Sequence, residues 1–382
     1  MSSNPTEKLE DIPGIRPYFE VSPEGLTQIG DLLASGNVTN NGAFVREFES
    51  MIGSYLNAKE VVVVSTGADA LLLGLRALSL PSGKIVLPAY TYIATLNAVV
   101  LNGFTPLFCD IEETTLTIDP QSLARLMAAH PDIRGVIAVN AFGVPPDLQA
   151  IRKICDLHAV KLAYDNAHGF GTEIDGARLT DEPDIQTFSF HATKTLPAVE
   201  GGGVIAREQS VTSLIRRMRN HGLAPVRSET VPGYNAKMDE LRALIGIYSL
   251  REFPGSLARR RSYGDRMVAR FSLFPDVFTV QTVPDAIRTN YQNIGVRCRS
   301  TSPDGLSSVI ELFAAHGVGV RSYFDPPLYK LPGYENGSEL PITEKVWRTL
   351  ISFPIHSRMS ESALCRIEDA ITSVGGSLRK RL

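Results

Sequence analysis

Lys194 ends the segment Phe188-Ser189-Phe190-His191-Ala192-Thr193-Lys194, and Glu200-Gly201-Gly202-Gly203 follows it. A lysine in an apolar-flanked turn is a candidate for attack on a carbonyl, because partial burial lowers its pKa and frees the neutral amine. Asp165 closes the apolar run Val160–Tyr164. A carboxylate at such a strand end could pair with the protonated ring nitrogen of a planar cofactor and keep that ring electron-accepting. His168, a little further on, could contact the same ring. Ser65-Thr66-Gly67-Ala68 lies between a β-branched run and a helix start. Free backbone N–H groups and the helix dipole favour an anion there, and Gly67 lets the backbone come close to it. Tyr90-Thr91-Tyr92 offers an aromatic face, and Ser189 a hydroxyl for a phosphate. Each fragment also has a plainer reading: a solvated lysine, a helix cap, a tight turn, packed tyrosines, a hydroxyl serving its own backbone. Taken singly, the plainer reading prevails. Weight comes from the set, in which an anion-type turn, an aromatic, an acid and a lysine follow one another in order. No GxGxxG or Walker-type loop competes with it.

The elements that must position these residues read as alternating strands and helices. Helices are predicted over Ser22–Leu33 and Phe44–Leu56, the second from apolar residues at Phe44, Val45, Phe48, Met51, Ile52 and Tyr55. Val61–Val64 has the composition of a strand buried on both faces, and Ala68–Leu78 that of a helix. Strands at Lys84–Leu87, Pro106–Cys109, Gly135–Asn140 and Val160–Tyr164 alternate with helices at Thr91–Leu101, Leu123–Ala129 and Leu148–His158. This punctuation predicts an α/β domain with a mostly parallel central sheet, whose ligands sit at the carboxyl ends of its strands. A strand at Val204–Ala206, a helix at Val211–Asn220 and a loop at His221–Asn235 follow, then a long helix over Lys237–Leu257 with a bend expected at Pro254. Strands at Gln292–Arg297 and Val318–Arg321 and helices at Asp304–His316 and Ser360–Val374 complete the chain. Residues 1–250 are expected to form a large domain with an N-terminal arm over Met1–Pro13. Residues 251–382 are expected to form a smaller α+β domain.

The bulk composition agrees with this division. The chain has 382 residues, 43% hydrophobic and 21% charged, which is ordinary for a globular protein. A net charge of −3 advertises neither nucleic acid nor an anionic membrane as partner. The four cysteines, Cys109, Cys155, Cys298 and Cys365, are far apart and suggest neither a metal site nor a disulfide framework. Met1–Asp11 is polar and acidic, without the plan of a signal peptide, and no apolar run approaches membrane-spanning length. A cytoplasmic location is expected.

In sequence the chain resembles the DegT/DnrJ/EryC1/StrS sugar aminotransferases. The likeness runs from about Asn37 to the final helix. It rests on STGADALLLGLRAL (Ser65–Leu78), LPAYTYIATLNAVV (Leu87–Val100), PLFCDIEETTLTIDP (Pro106–Pro120), YDNAHGFGTEIDG (Tyr164–Gly176), FSFHATK (Phe188–Lys194) with EGGG (Glu200–Gly203), RNHG (Arg219–Gly222), GYNAKMDE (Gly233–Glu240) and FPIH (Phe353–His356). The resemblance implies the PLP-dependent transferase fold type I and pyridoxal 5′-phosphate (PLP) as cofactor. It implies that Lys194 carries the cofactor and that Asp165 pairs with its ring nitrogen. His168 would hold a neighbouring contact position that is often Gln in relatives, and Tyr92 would stack on the ring. The Gly67 and Ala68 amides, with Ser189, would hold the phosphate. Asn235 would reach the phosphate of the other subunit of a homodimer with shared active sites.

Two positions depart from the family pattern. Ala68 stands where relatives often have Thr or Ser, so a hydroxyl to the phosphate is missing. Asn166, beside the acid, replaces a usual Ala. Within the family, TNNG (Thr39–Gly42), FSFHATK and EGGG look most like enzymes that aminate C-4 of dTDP-4-keto-6-deoxyglucose with L-glutamate, releasing 2-oxoglutarate. Other nucleotide-linked keto-sugars and cyclitol ketones are the alternatives. Lys194, where the related dehydratases typically have His, argues against dehydration. The complete Lys194, Asp165 and Ser189 set argues against a non-catalytic regulator. Arg227 and Lys330, on the loops His221–Asn235 and Tyr323–Tyr334, are candidates to read the sugar or are simply solvated.

Overall fold

A computed structural model describes residues 12–14, 16–19, 21–224, 226, 230–299, 305–334 and 339–381. Most of the arm expected over Met1–Pro13 lies outside the described residues. In chain order the strands are β1 (Val62–Val64), β2 (Lys84–Pro88), β3 (Thr105–Cys109), β4 (Ile133–Val139), β5 (Lys161–Asp165), β6 (Glu173–Ile174), β7 (Ile185–Ser189), β8 (Gly202–Ala206), β9 (Phe278–Val280), β10 (Ile287–Arg288), β11 (Ile294–Cys298), β12 (Arg321–Ser322) and β13 (Leu350–Phe353). The α-helices are α1 (Pro23–Ser35), α2 (Ala43–Leu56), α3 (Gly67–Ala77), α4 (Ile93–Leu101), α5 (Pro120–Ala129), α6 (Leu148–Leu157), α7 (Gln209–Met218), α8 (Glu240–Phe271), α9 (Gly305–Ala315), α10 (Pro341–Trp347) and α11 (Glu361–Arg379).

Seven strands form the central sheet in the order β1-β8-β7-β5-β4-β2-β3. The pairs β2–β3, β2–β4, β4–β5 and β5–β7 are parallel, and β8 runs against both neighbours. Alternate residues of β4 serve the two faces, as the pleat requires. Val136 and Ala138 pack with Leu123 of α5 and Ile151 of α6. Ile137 packs on the other side with Leu75 of α3 and Leu96 and Val99 of α4. Helices on both faces explain why these strands read as continuous apolar runs. The mostly parallel α/β sheet expected from the sequence is therefore present.

Strands β6, β9, β10 and β13 and helix α10 are absent from the local reading, and three further features differ from it. β7 was not anticipated, because its sequence Ile-Gln-Thr-Phe-Ser carries polar residues, yet Gln186 and Thr187 are buried at 3% and 2% exposure. Their polar groups are served inside the fold: Gln186 Oε1 accepts from Asn166 Nδ2 at 3.1 Å, and Thr187 Oγ1 donates to the Tyr164 carbonyl at 3.4 Å. The long helix α8 continues through Pro254 to Phe271 instead of ending near Leu257. An interior proline costs a helix about 3 kcal/mol, and packing along both halves of α8 offsets it. Ala243, Ile247, Leu250, Phe253 and Leu257 pack with Val45, Phe48 and Ile52 of α2, while Met267 and Phe271 belong to the core of the second sheet. The expected boundary at residue 250 thus lies within one continuous helix. Third, Val318 lies outside β12 and instead bridges Ile12, whose N–H donates to the Gly317 carbonyl at 2.8 Å.

The second sheet is antiparallel, in the order β12-β13-β11-β9. It packs with α9 and α11 around Phe271, Phe313 and Phe353. The rings of Phe271 and Phe313 each lie 4.7 Å from that of Phe353. Among the described residues no helix is long and apolar enough to cross a membrane.

Candidate active site

The carboxyl ends of β1, β2, β5 and β7 open onto one cavity of about 650 Å³. Gly67, Ala68, Tyr92, Asp165, His168, Ser189 and Lys194 all line it. Asn235 does not; it is exposed and forms an isolated bridge with Asn220.

At the end of β1 the chain turns directly into α3. Thr66 caps the helix, its Oγ1 accepting from the Asp69 N–H at 3.0 Å. Asp69 is itself held by Ser65, by Thr66 and by the Tyr234 hydroxyl, the last at 2.7 Å. The first helical backbone bond runs from Ala70 N–H to the Thr66 carbonyl, so the Gly67 and Ala68 amides stay free beside the cavity. Here glycine is needed for space. A Cβ on Gly67 would lie 2.7 Å from that of Ser189, and one on Gly202 would strike the Thr66 carbonyl. Backbone amides, the Ser189 hydroxyl and the helix N-terminus therefore make a cradle suited to a phosphate.

Asp165, the last residue of β5, is 4% exposed. It accepts from Thr95 Oγ1 at 2.8 Å and from the Ala167 N–H at 3.2 Å. Burial raises its pKa; those two bonds and the charge of Lys194 oppose the rise. A carboxylate this deep is stable as an anion only with hydrogen bonds and an opposing cation. Lys194 lies on the loop after β7, its N–H donating to the His191 carbonyl at 2.9 Å. Burial pushes its pKa down to about 8, against the pull of Asp165. The His168 ring is held well below the usual imidazole range, by burial first and by Lys194 second. Its Nδ1 accepts from the Phe142 N–H at 3.3 Å, so the neutral ring carries its proton on Nε2. Tyr92, 60% exposed, caps α4 at the cavity rim, its ring 6.5 Å from that of Phe324.

Two supporting residues escaped the sequence reading. Thr95 lies in the first turn of α4 and serves Asp165, in a chain that continues to Thr91 Oγ1 at 3.0 Å. Gln292 clamps the lysine loop on both sides. Its Oε1 accepts from the Thr195 N–H at 3.1 Å and its Nε2 donates to the Thr193 carbonyl at 3.0 Å. Nothing in the local sequence marks either, because their partners are remote. The Asn166 side chain, beside the acid, turns to Gln186. Lys330 pairs with Glu344 at 2.6 Å and does not line the cavity, and Arg227 lies outside the described residues.

A sequence profile described as the DegT/DnrJ/EryC1/StrS aminotransferase family matches residues 21–372. The chain is 26% identical over 364 residues to the dTDP-4-amino-4,6-dideoxy-D-glucose transaminase of Escherichia coli, covering 93% of this chain and 96% of that one. It is 28% identical over 389 residues to the UDP-N-acetyl-3-dehydro-alpha-D-glucosamine 3-aminotransferase of Acidithiobacillus ferrooxidans, covering 94% and 95%. Among solved structures it is similar to NtdA from Bacillus subtilis with bound cofactor PMP, at a TM-score of 0.86 and 23% identity, covering 97% of this chain and 86% of that one.

Proposed function

Since the chain belongs to the DegT/DnrJ/EryC1/StrS aminotransferase family and is a PLP-dependent sugar aminotransferase, we propose that it moves an amino group from L-glutamate to C-4 of dTDP-4-keto-6-deoxyglucose. One observation carries the chemistry: a lysine with a lowered pKa and a buried carboxylate share a cavity with a phosphate cradle. The residues fit the cofactor. The cradle at Gly67, Ala68 and Ser189 suits its phosphate, Asp165 its ring nitrogen, and Lys194 its carbonyl carbon. Tyr92 and His168 line the same cavity and would contact the ring.

When bound, pyridoxal phosphate supplies an electron-accepting ring that stabilises negative charge on the donor's α-carbon. Asp165 keeps the ring nitrogen protonated, and Thr95 and the Ala167 N–H keep Asp165 ionised. Lys194 Nζ would hold the cofactor at its carbonyl carbon, and the same amine, when free, would move the proton at the donor α-carbon. Gln292 holds the backbone on either side of Lys194, so the amine stays in place through both half-reactions. His168, neutral, donates from Nε2 without adding charge. Asn235 acts from the other subunit of a homodimer.

The substrate assignment is supported by the E. coli relative and by the stretches Thr39–Gly42 and Phe188–Lys194. It is tested by assaying dTDP-, GDP- and UDP-linked keto-sugars and a cyclitol ketone with L-glutamate, locating the new amine by NMR. Amination at C-3, or preference for another nucleotide, would overturn it. The visible absorption of the purified protein should bleach on adding L-glutamate. Lys194→Ala should abolish turnover; wild-type turnover in that variant would end the aminotransferase reading.

A further inference from the structure

The cavity wall holds a buried cation that no anion among the described residues pairs with. Arg260, on α8, is 7% exposed and lines the cavity. Its Nε donates to the Tyr291 carbonyl at 2.9 Å and its Nη2 to the Gln292 carbonyl at 3.0 Å. Among the described residues Nη1 has no protein partner and the guanidinium forms no ion pair. Burial lowers its pKa to about 10, so it stays charged at neutral pH. A desolvated charge of this kind is costly until an anion lies against it. Arg16 and Arg321 also line the cavity and form no ion pair among the described residues. The nearby carboxylate on that wall, Glu252, is exposed. His356, from the Phe353–His356 stretch, also lines the cavity. Its Nδ1 has no partner among the described residues, and burial with the charges of Arg260 and Arg16 pushes its pKa down to about 4, so it adds no positive charge.

Resting on the aminotransferase reading, we propose that Arg260 is the carboxylate-binding residue for the amino donor. Gln292 links the two functions: its carbonyl holds the guanidinium while its side-chain amide holds both neighbours of Lys194 in the chain. One residue thus touches both the cation and the loop that carries the reacting amine. A carboxylate belongs to a compact molecule whose reacting carbon is only a few bonds away. A diphosphate is separated from its keto carbon by a sugar ring and suits the exposed Arg16 and Arg321 better than this buried group. Bidentate contact from a planar guanidinium fits a carboxylate.

The test uses the holoenzyme and glutarate, a dicarboxylate with no amino group to transfer. Arg260→Gln should raise the glutarate Kd, by calorimetry, and the KM for L-glutamate at least tenfold. The KM for the keto-sugar should stay within twofold, and Arg260→Lys should recover part of the loss. Unchanged glutarate binding in Arg260→Gln, or a rise confined to the keto-sugar KM, would overturn the proposal. Arg260 also braces two backbone carbonyls, so thermal midpoints are measured alongside. If both variants unfold, the wild-type holoenzyme decides: glutaramide, the uncharged diamide, should bind at least tenfold more weakly than glutarate, and equal binding would overturn the proposal. Glutarate binding requires no turnover. Loss of turnover in Lys194→Ala with glutarate still bound therefore speaks to the aminotransferase reading alone.

Discussion

Only the neutral fraction of a lysine is nucleophilic, and burial sets that fraction for Lys194. With a pKa near 8 instead of the usual 10.5, its amine is largely neutral a little above physiological pH. The rate at which cofactor-free protein takes up pyridoxal phosphate should therefore rise with pH and level off just above 8. An ordinary lysine would keep gaining to about pH 10. Asp165 raises the Lys194 pKa, so in Asp165→Asn the inflection should move below 8. Thr95 supplies the opposite control, on Asp165 itself. Its hydroxyl holds down a carboxyl pKa that burial raises. A hydrogen bond to a charged group contributes about 1.5–3 kcal/mol, equivalent to roughly one to two pH units. Thr95→Val should shift the acid limb of the kcat/KM profile upward by about that amount, with the alkaline limb unmoved.

The start of α3 is the element expected to govern cofactor retention. Its cap, its two free amides and Ser189 of β7 meet within a space that admits no side chain on Gly67. Gly67→Ala should cost roughly 1–3 kcal/mol as Ser189 is displaced and weaken pyridoxal phosphate binding, both measurable by thermal melts with and without cofactor. Thr66→Ala removes the cap and should cost about 1 kcal/mol. Ala68→Ser works in the other direction. It restores a hydroxyl beside the cradle, and one added hydrogen bond of about 1 kcal/mol should tighten cofactor retention roughly fivefold in a dialysis assay. Helix α8 works at longer range. Its first half packs on α2, its second half on the Phe271–Phe353 core, and Arg260 lies between Leu257 and Met267. The division into a domain of residues 1–250 and one of 251–382 is best kept as a proposal in which α8 is shared.

For the whole molecule, the question is whether Asn235, exposed and away from the cavity of its own chain, serves the cavity of another. Complementation answers it. Lys194→Ala and Asn235→Ala are each expected to be nearly inactive. Unfolded together and refolded as mixed dimers, they should regain activity, because one of the two sites then receives both intact residues. Random assortment predicts about a quarter of the wild-type rate, since half of the dimers are mixed and half of their sites are intact. No recovery would place Asn235 outside the neighbouring site.

The sequence by itself determined the alternation of β and α elements and the residues at the strand ends. Local apolar runs report burial on both faces of a sheet, and the ordered motifs from Ser65 to Glu240 report the chemistry attached to it. Asp165, Lys194 and Gly67 were legible as candidates for that reason, and the fold brings them to one cavity. Tertiary structure alone decided that β7 could bury Gln186 and Thr187, that α8 would pass through Pro254, that Thr95 would bond Asp165 and Gln292 the lysine loop, and that Arg260 would line the cavity. The bonds that give Thr95 and Gln292 their roles join residues 70 and 97 positions apart. No local periodicity encodes such a pairing, because it exists only once the chain has folded and water has left the site.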